Sequence, residues 1–409
     1  MILGCIADDF TGASDAASFL VKGGMRTLLF NGIPENDIND TDTDAIVIAL
    51  KTRTQETTSA VADSLAAIDW LEKQGAKHFY VKYCSTFDST PKGNIGPICD
   101  AVMDALQVEN TLLCPSLPVN GRTVKDAVLY VHGIKLEESH MRNHPLTPMR
   151  DSNLIRLMAP QSRYESRHLS WGDIELVEHG RLKGRGYFIP DYESDEDGEK
   201  IIAAFGAMKL LTGGSGILTA WADYLLQQKN YDRKALRGSE GRGVLLAGSC
   251  SKATLQQIAW FQERGGLSYK LYPDKILKKE QGLDDIRQFL RAHKDRDVLI
   301  YSSETPQYLE EIRGETLLTY SLLIENMLAA AAVIAKEEGV RHIIVAGGET
   351  SGAVTKALGY QAYWIGQSIA PGVPIMAPLE NPEMRIVLKS GNFGQEEFFG
   401  RALTMTGEV

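Results

Sequence analysis

The amino-acid sequence predicts an α/β protein with two domains, each built on a mainly parallel sheet flanked by helices. The first observation is the length of 409 residues, which suits two or three domains of ordinary size. The second is that short apolar runs alternate with helix-like segments in both halves, as in a parallel sheet covered on both faces. The third is a content of 44% hydrophobic and 23% charged residues, which is typical of folded globular proteins.

Short apolar runs in the first half of the chain predict strands. After the first run, apolar residues such as Ala13, Ala16 and Leu20 fall on one face of a helix, and the glycine pair at 23–24 ends it. Two further helices are predicted over residues 58–73 and 95–106. The predicted strands cover residues 1–7, 27–30, 45–50, 78–83 and 111–114.

The middle of the chain is less regular. Residues 132–194 are rich in turn-forming and charged residues, so insertions are expected there. Helices are predicted over residues 199–211 and 220–228. A polar, glycine-containing stretch without apolar periodicity follows and indicates a domain boundary. The predicted organisation is a substrate-binding domain over residues 1–230, a linker over 231–242 and an ATP-binding domain over 243–409.

The alternation of strands and helices restarts in the second half, which therefore predicts a second α/β domain. Strands are predicted over residues 243–247, 269–272, 298–301, 342–345 and 385–388. Helices are predicted over residues 253–264, 283–293, 322–338, 351–358 and 396–404.

Charge and cysteine content exclude several classes of protein. The formal net charge is −10 and the pI is about 5.4, whereas proteins that bind nucleic acids or anionic membranes usually carry a basic surplus. The longest apolar run, residues 327–335, is far shorter than the ~18 residues of a membrane span. The amino-terminal segment lacks the basic start of a secretory signal, and the five cysteines are scattered without a CxxC pair. We expect a cytoplasmic protein with no nucleic-acid or membrane partner.

Two adjacent acids, Asp8 and Asp9, end the first predicted strand, just before a predicted helix that starts at Thr11. Ligands of parallel α/β sheets bind beyond the carboxyl ends of the strands, where a carboxylate could act as a base or bind a hydroxyl. The alternative is that Asp9 or Thr11 only caps the helix. The adjacent pair favours a functional role.

The loop after the fourth predicted strand, residues 82–97, carries a dense set of polar side chains. Lysines suit the carboxylate of a small polyhydroxylated acid, whereas aspartate and asparagine suit its hydroxyls. The alternative is an ordinary polar loop with turns formed by serine and threonine. The side chains that carry this hypothesis are Lys82, Asp88, Ser89, Lys92 and Asn94.

Three turns of small residues follow strands of the second half. They lie in the sequences GVLLAGSCSKAT, HIIVAGGETSGAV and RIVLKSGNFG. Glycines allow close approach of the backbone to a ligand, and each helix start offers amides to phosphate, so together they favour a nucleotide site. None is a Walker A loop or a GxGxxG fingerprint, which disfavours a dehydrogenase. Alone, each turn could be a plain helix cap.

Other candidate sites are weaker. His140 and His144 have metal-ligand spacing on a helix, but Pro145 follows at once and no acidic third ligand is evident nearby. Cys84 and Cys250 have no identifiable partner base for a thiolate, and the chain has no GxSxG elbow of a serine hydrolase.

At these residues the sequence resembles the four-carbon acid sugar kinases, whose members share the motifs DDFTGA, GGETS and KSGNFG. Here the motifs stand at residues 8–13, 347–351 and 389–394, in the family's order, and the resemblance covers nearly the whole chain. The segments CSTFDSTPKGNIGP and HPLTPMRDSNL are most similar to the 3-oxo-tetronate kinase branch. Threonate and erythronate kinases tend to have an arginine in place of Lys92, which favours the oxo-acid branch.

The resemblance implies phosphoryl transfer from ATP, with Mg²⁺, to the C4 hydroxyl of a four-carbon sugar acid in a cleft between the domains. Asp8 would orient or deprotonate that hydroxyl, with Asp9 as the alternate. Arg53, Lys82 and Lys92 would hold the acid. The nucleotide would be lined by Ser249, Ser251, Gly347, Gly348, Glu349, Thr350 and Gly391.

Several alternatives and features remain open at this stage. The chain could instead phosphorylate D-threonate or D-erythronate, or could be a sensor that binds a sugar acid and a nucleotide without turnover. The sequence identifies no protein ligands for the metal, and it leaves homo-oligomerisation open.

Overall fold

The computed structural model describes residues 1–38, 42–143, 147–175, 184–227, 236, 238–304 and 315–408. The chain forms two compact units, Met1–Lys234 and Ala235–Val409. Residues 231–235 and 237 of the predicted linker lie outside the described residues. The predicted α/β class is confirmed, and in each unit the main sheet is mostly parallel and flanked by helices.

The first unit contains a sheet in which the described strand pairs are all parallel. Its strands are β1 (Leu3–Ala7), β2 (Thr27–Asn31), β3 (Ala45–Ala49), β4 (His78–Lys82), β5 (Asn110–Cys114), β9 (Glu165–Leu169), β10 (Gly186–Pro190) and β11 (Leu210–Gly213). The order is β2-β3-β1-β4-β11-β5-β10-β9. A small antiparallel sheet comprises β6 (Arg122–Lys125), β7 (Val128–Val131) and β8 (Ile134–Lys135).

Helices cover the sheet of the first unit. Its central strands β1 and β3 are apolar on both faces, so both faces must be shielded from water. All five residues of β1 and of β3 are buried, as expected for a strand with helices on both faces. The helices are α1 (Phe10–Lys22), α2 (Thr57–Lys73), α3 (Ile95–Ala105), α4 (Leu154–Met158), α5 (Trp171–Glu175), α6 (Asp195–Phe205) and α7 (Leu218–Leu226). The predicted helix end at Gly23 agrees with the cap that closes α1.

The second unit also has a mainly parallel sheet. Its strands are β12 (Gly243–Ala247), β13 (Leu267–Lys270), β14 (Val298–Tyr301), β15 (His342–Ala346), β16 (Ala362–Ala370), β17 (Val373–Pro378) and β18 (Arg385–Lys389). The order is β13-β14-β12-β15-β18-β17-β16, and the pairs from β13 to β18 are parallel. The β16–β17 hairpin is antiparallel, and β17 pairs antiparallel with β18.

The helices of the second unit cover this sheet. They are α8 (Lys252–Glu263), α9 (Pro273–Leu277), α10 (Leu283–Ala292), α11 (Glu315–Glu337), α12 (Gly348–Leu358) and α13 (Phe398–Gly407). Leu245, Ile344, Val387 and Phe399 belong to one buried cluster that joins strands and helices. Burial of such side chains contributes roughly 1.5–3 kcal/mol each, which makes this cluster a main source of the unit's stability.

The predicted helix over residues 199–211 is correct to Phe205 but wrong beyond it. Helix α6 ends at Phe205, and residues Leu210–Gly213 form β11, which pairs with both β4 and β5. Gly206 caps the helix, and a Cβ there would lie 2.7 Å from the Ile202 carbonyl oxygen and 2.8 Å from the Tyr224 ring. A short apolar strand directly after an amphipathic helix continues its apolar pattern, so periodicity alone could not separate the two.

Helix α11 contains the stretch Leu318–Glu337, whose mean hydropathy is 1.6. This stretch is long and apolar enough to cross a membrane, a criterion that the core helix of a soluble protein also meets. The helix packs against α10 and α12.

Candidate active site

The carboxyl ends of β1 and β3 place three charged side chains in contact. Asp8 follows β1 and Arg53 follows β3, and these strands are parallel neighbours in register from Leu3 to Ala7. Arg53 Nε lies 2.8 Å from Asp8 Oδ2, and its Nη2 lies 2.9 Å from both Asp8 Oδ1 and Asp9 Oδ2. Burial lowers the pKa of Arg53, but the neighbouring Asp8 more than offsets this, so the guanidinium stays charged.

Asp9 also caps helix α1, as the alternative interpretation of the sequence proposed. Its Oδ1 accepts a hydrogen bond of 2.5 Å from the backbone N–H of Gly12. Its Oδ2 meanwhile contacts Arg53, so one carboxylate fixes the helix start and the arginine together. Asp9 therefore both caps α1 and belongs to the charged cluster with Asp8 and Arg53.

Lys82 ends β4, next to β1, and brings a second cation to the cluster. Its side chain is only 4% exposed, and Nζ donates to the Tyr83 carbonyl oxygen at 2.9 Å. A Cβ on Gly12 would lie 3.3 Å from Lys82 Nζ, 2.8 Å from Asp9 Oδ1 and 3.6 Å from Asp8 Oδ1. The absence of a side chain at Gly12 thus leaves open the space among these charges. No carboxylate of the described residues forms an ion pair with Lys82.

These groups line a pocket, which we call the first-unit pocket. Its polar lining residues are Asp8, Thr52, Arg53, Ser64, Lys82, Asp88, Ser89 and Asn94, and its apolar lining includes Ile6, Leu50, Val81, Tyr83, Ile95 and Ile98. Six of the eight residues predicted for the acid-sugar site therefore meet in one place. Asp9 joins them through Arg53. Lys92, the remaining one, is exposed and does not line the pocket.

The polar side chains of the loop after β4 are held by hydrogen bonds to other parts of the first unit. Asp88 accepts a hydrogen bond of 2.6 Å from Thr86, and Ser89 donates to Gln161 at 2.8 Å. Both Nδ2 hydrogens of Asn94 are used, because they donate to the backbone oxygens of Thr52 and Gln55 at 2.7 and 2.8 Å. Asn94 therefore holds the loop that carries Arg53, and sequence spacing could not reveal that contact.

In the second unit, the three small-residue turns follow β12, β15 and β18, which are adjacent parallel strands. We call residues 248–251, 347–350 and 390–391 the second-unit turns. Ser251 donates a hydrogen bond of 2.6 Å to the Gly391 carbonyl oxygen, and a Cβ on Gly391 would lie 2.3 Å from Ser249 Oγ. A Cβ on Gly347 would lie 2.9 Å from Thr350 Oγ1. The predicted nucleotide residues therefore converge at one edge of the sheet.

Helix α12 begins within this set without a side-chain cap. Its cap residue, Gly347, has φ +132°, a conformation that residues with a side chain rarely adopt. Gly348 and Glu349, the first residues of the helix, are exposed, and Thr350 is buried. Free amides at a helix start bind anions, so the arrangement fits a phosphate group. Ser351 Oγ is buried and has no hydrogen-bond partner in the described chain.

Two residues that hold the turn after β18 were not singled out from the sequence. Gln257 Nε2 donates to the backbone oxygens of Phe393, Gly394 and Gln395 at 3.0–3.2 Å. Lys389 Nζ donates to Gly391 O at 2.9 Å and to Thr254 Oγ1 at 3.1 Å. The available signal for Lys389 was its place as a charged residue at the end of β18, directly before the turn of small residues.

The other candidates gain no support. His144 lies outside the described residues. Burial raises the pKa of Cys84 to about 11 and also raises that of Cys250, so neither thiol is activated as a nucleophile.

The chain is similar to known proteins over nearly its full length. A family model described as a sugar-binding N-terminal domain matches residues 3–221, and one described as a nucleotide-binding C-terminal domain matches residues 244–399. The 3-oxo-tetronate kinase of Brucella melitensis biotype 1 is 42% identical, and the alignment covers 98% of this chain and 95% of that protein. The 3-oxo-tetronate kinase of Burkholderia multivorans is also 42% identical, with coverage of 98% and 96%.

A solved structure is similar over the same length. The crystal structure of a Haemophilus influenzae protein has a TM-score of 0.87 and 39% sequence identity, and the match covers 98% of this chain and 100% of that one. Identity near 40% over nearly the full length confirms the resemblance found in the motifs. The chain belongs to the four-carbon acid sugar kinase family, in the branch of the 3-oxo-tetronate kinases.

Proposed function

We propose that this chain is an ATP-dependent kinase that phosphorylates the C4 hydroxyl of 3-oxo-tetronate. The observation that carries the acceptor half is Lys82, a buried ammonium that has no carboxylate partner among the described residues and lies beside two aspartates. A buried cation without a partner favours an anionic ligand. The names of the relatives identify that anion as a four-carbon oxo-acid.

The charges in the first-unit pocket suggest how the acid would be oriented. Arg53 is already paired with Asp8 and Asp9, so one guanidinium faces two carboxylates and that side of the pocket repels a further anion. Lys82 forms no ion pair with a carboxylate of the described residues, although its charge opposes the effect of burial, which raises the pKa of Asp15. The carboxylate of the substrate would therefore bind Lys82, and the C4 hydroxyl would approach Asp8, which orients it or accepts its proton. Arg53 then acts by fixing both aspartates rather than by holding the acid.

The second-unit turns supply the nucleotide half of the proposal. The uncapped start of α12 and the close turns at Gly347 and Gly391 would bind the phosphates of ATP. Glu349, at the exposed start of α12, is a carboxylate of the kind that Mg²⁺ prefers. Mg²⁺ bound with ATP would neutralise phosphate charge during transfer.

The direct test is ADP formation by the purified protein with ATP and Mg²⁺ on a panel of 3-oxo-tetronates, D-threonate and D-erythronate. Mass spectrometry of the product locates the phosphate. We expect a 4-phosphate from a 3-oxo-tetronate. Turnover of only the acids that lack the oxo group would identify a threonate or erythronate kinase instead. Binding of acid and nucleotide without turnover would identify a sensor.

Replacement of Lys82 by glutamine is expected to weaken recognition of the substrate carboxylate. A hydrogen bond to a charged group contributes about 1.5–3 kcal/mol, so kcat/KM for 3-oxo-tetronate should fall about 10- to 100-fold. The KM for ATP should not change. Dihydroxyacetone keeps the ketone and the acceptor hydroxyl but lacks the carboxylate, so its kcat/KM, or its inhibition constant if it does not react, should be nearly unaffected.

The matched control is Lys77→Gln, which changes an exposed lysine just before the other end of the same strand. It should leave both substrates unaffected. An equal loss on 3-oxo-tetronate and dihydroxyacetone in Lys82→Gln would mean that the lysine only supports the structure of the pocket.

A further inference from the structure

Lys389 is a buried cation in the second unit, and none of the described residues that contact its ammonium is an acid. It is the last residue of β18 and is only 1% exposed. Nζ donates to the Gly391 carbonyl oxygen at 2.9 Å, to Thr254 Oγ1 at 3.1 Å and to the Ser390 carbonyl oxygen at 3.3 Å. All three ammonium hydrogens are used, and all three partners are uncharged.

The same hydrogen bonds fix the turn after β18. The Gly391 carbonyl oxygen accepts from Lys389, from Ser251 at 2.6 Å and from Thr254 at 3.0 Å. Three donors on one carbonyl hold that oxygen against the start of α8. The orientation of this peptide group, and hence of the second-unit turns around it, therefore depends on Lys389.

No other charged group in the described chain offsets the lysine. The described contacts of its ammonium are with Thr254 of α8, the turn at 390–391 and the Phe398 ring of α13, 5.8 Å away, and none of these groups is charged or titrates. Burial lowers the pKa of Lys389 to about 7. Buried charges in proteins are normally paired, so an unpaired one beside an anion site favours a ligand that supplies the negative charge.

We propose that Lys389 is a positioning residue of the nucleotide site, which holds the turn at 390–391 and provides the positive charge that the phosphates of ATP offset. This inference rests on the proposed binding of ATP by the second unit. It gives a role to a lysine that makes no contact with the reacting atoms. It also predicts a coupling between ATP binding and the protonation of one side chain.

The coupling has a definite sign. In the free protein the lysine loses its proton as pH rises through about 7. A bound polyphosphate favours the charged form, so ATP binding takes up a proton wherever the free protein has lost one. Uptake should be close to zero at pH 5.5 and should approach one proton per ATP near pH 8. The Kd for ATP should rise by up to about tenfold per pH unit above pH 7.

The experiment is titration calorimetry of the full chain with Mg-ATP at several pH values, in buffers of different ionisation enthalpy. The number of protons taken up is the slope of the binding heat against that enthalpy. Lys389→Met should abolish the uptake and weaken ATP binding about 10- to 100-fold, the loss expected for charged hydrogen bonds. Lys356→Gln, at an exposed lysine near the far end of α12, should behave like the wild type.

The outcomes separate this inference from the proposed function. ATP binding with the same proton uptake in the wild type and in Lys389→Met would overturn the inference and leave the kinase proposal standing. Absence of ATP binding in the wild type would overturn both. If Lys389→Met does not fold, the measurements on the wild-type protein still test the inference. ATP binding without proton uptake between pH 7 and 8 would contradict it.

Discussion

Asp8→Asn should lower kcat for 3-oxo-tetronate by about 100- to 10,000-fold, the usual contribution of a positioned general base. Asparagine has nearly the same shape but has no negative charge and cannot accept the hydroxyl proton. It also presents one acceptor oxygen to Arg53 where the carboxylate presents two. Steady-state ADP formation gives kcat, and calorimetry should show that the Kd for ATP is nearly unchanged, because Asp8 belongs to the first unit.

Asp9→Asn is the matched comparison for this prediction. Asparagine caps helices about as well as aspartate, so the start of α1 should persist, and only the charge beside Arg53 is lost. We expect this variant to retain far more activity than Asp8→Asn. If Asp9→Asn shows the larger loss of kcat, the catalytic role passes to Asp9. Full activity in Asp8→Asn would remove Asp8 from the mechanism.

Gly347→Ala should impair ATP binding and stability together. Alanine at φ +132° is strained, which costs about 1–3 kcal/mol, and its Cβ would lie 2.9 Å from Thr350 Oγ1 and 3.3 Å from the Ser249 backbone nitrogen. Relief of these contacts displaces the turns after β12 and β15. We expect the KM for ATP to rise at least tenfold, the KM for the acceptor to change little, and urea unfolding to show a lower free energy of unfolding.

Gly352→Ala provides the control in the same segment. Gly352 lies inside α12, and a Cβ there would meet no atom within 4 Å. Alanine is preferred to glycine inside helices by up to about 1 kcal/mol, so this variant should be slightly more stable. Its KM for ATP should equal that of the wild type. If the KM for ATP is also unchanged in Gly347→Ala, the second-unit turns do not bind the nucleotide.

Periodicity predicted the buried strands well because a strand covered on both faces is a continuous apolar run. Residues 342–345 and 385–388, for example, were assigned to within one residue of β15 and β18. Strand β9 was missed because only its last residue is buried, so its sequence ESRHL has no apolar run. The predicted elements also do not include the hairpin β16–β17, whose apolar residues are interrupted by glycine and proline.

The sequence predicted which residues line the first-unit pocket better than it predicted which of them contact one another. Residues at the ends of parallel strands share one edge of a sheet, so Asp8, Arg53 and Lys82 could be grouped before the fold was known. The pairing of Arg53 with Asp8 could not be predicted from the sequence, because it depends on β1 and β3 being neighbours in the sheet. The sequence also could not show that Lys82 is buried whereas Lys92 is exposed.

Most polar groups of the first-unit pocket come from the ends of β1, β3 and β4 or from the loops after them, while β1 and β3 themselves are buried and apolar. If the pocket binds an acid sugar as proposed, a substitution in one loop can change one contact with it without repacking the core. Selection can therefore alter acceptor preference one loop at a time, through intermediates that all fold. This modularity offers a route by which a single ancestral scaffold could diversify across four-carbon acids that differ at one carbon.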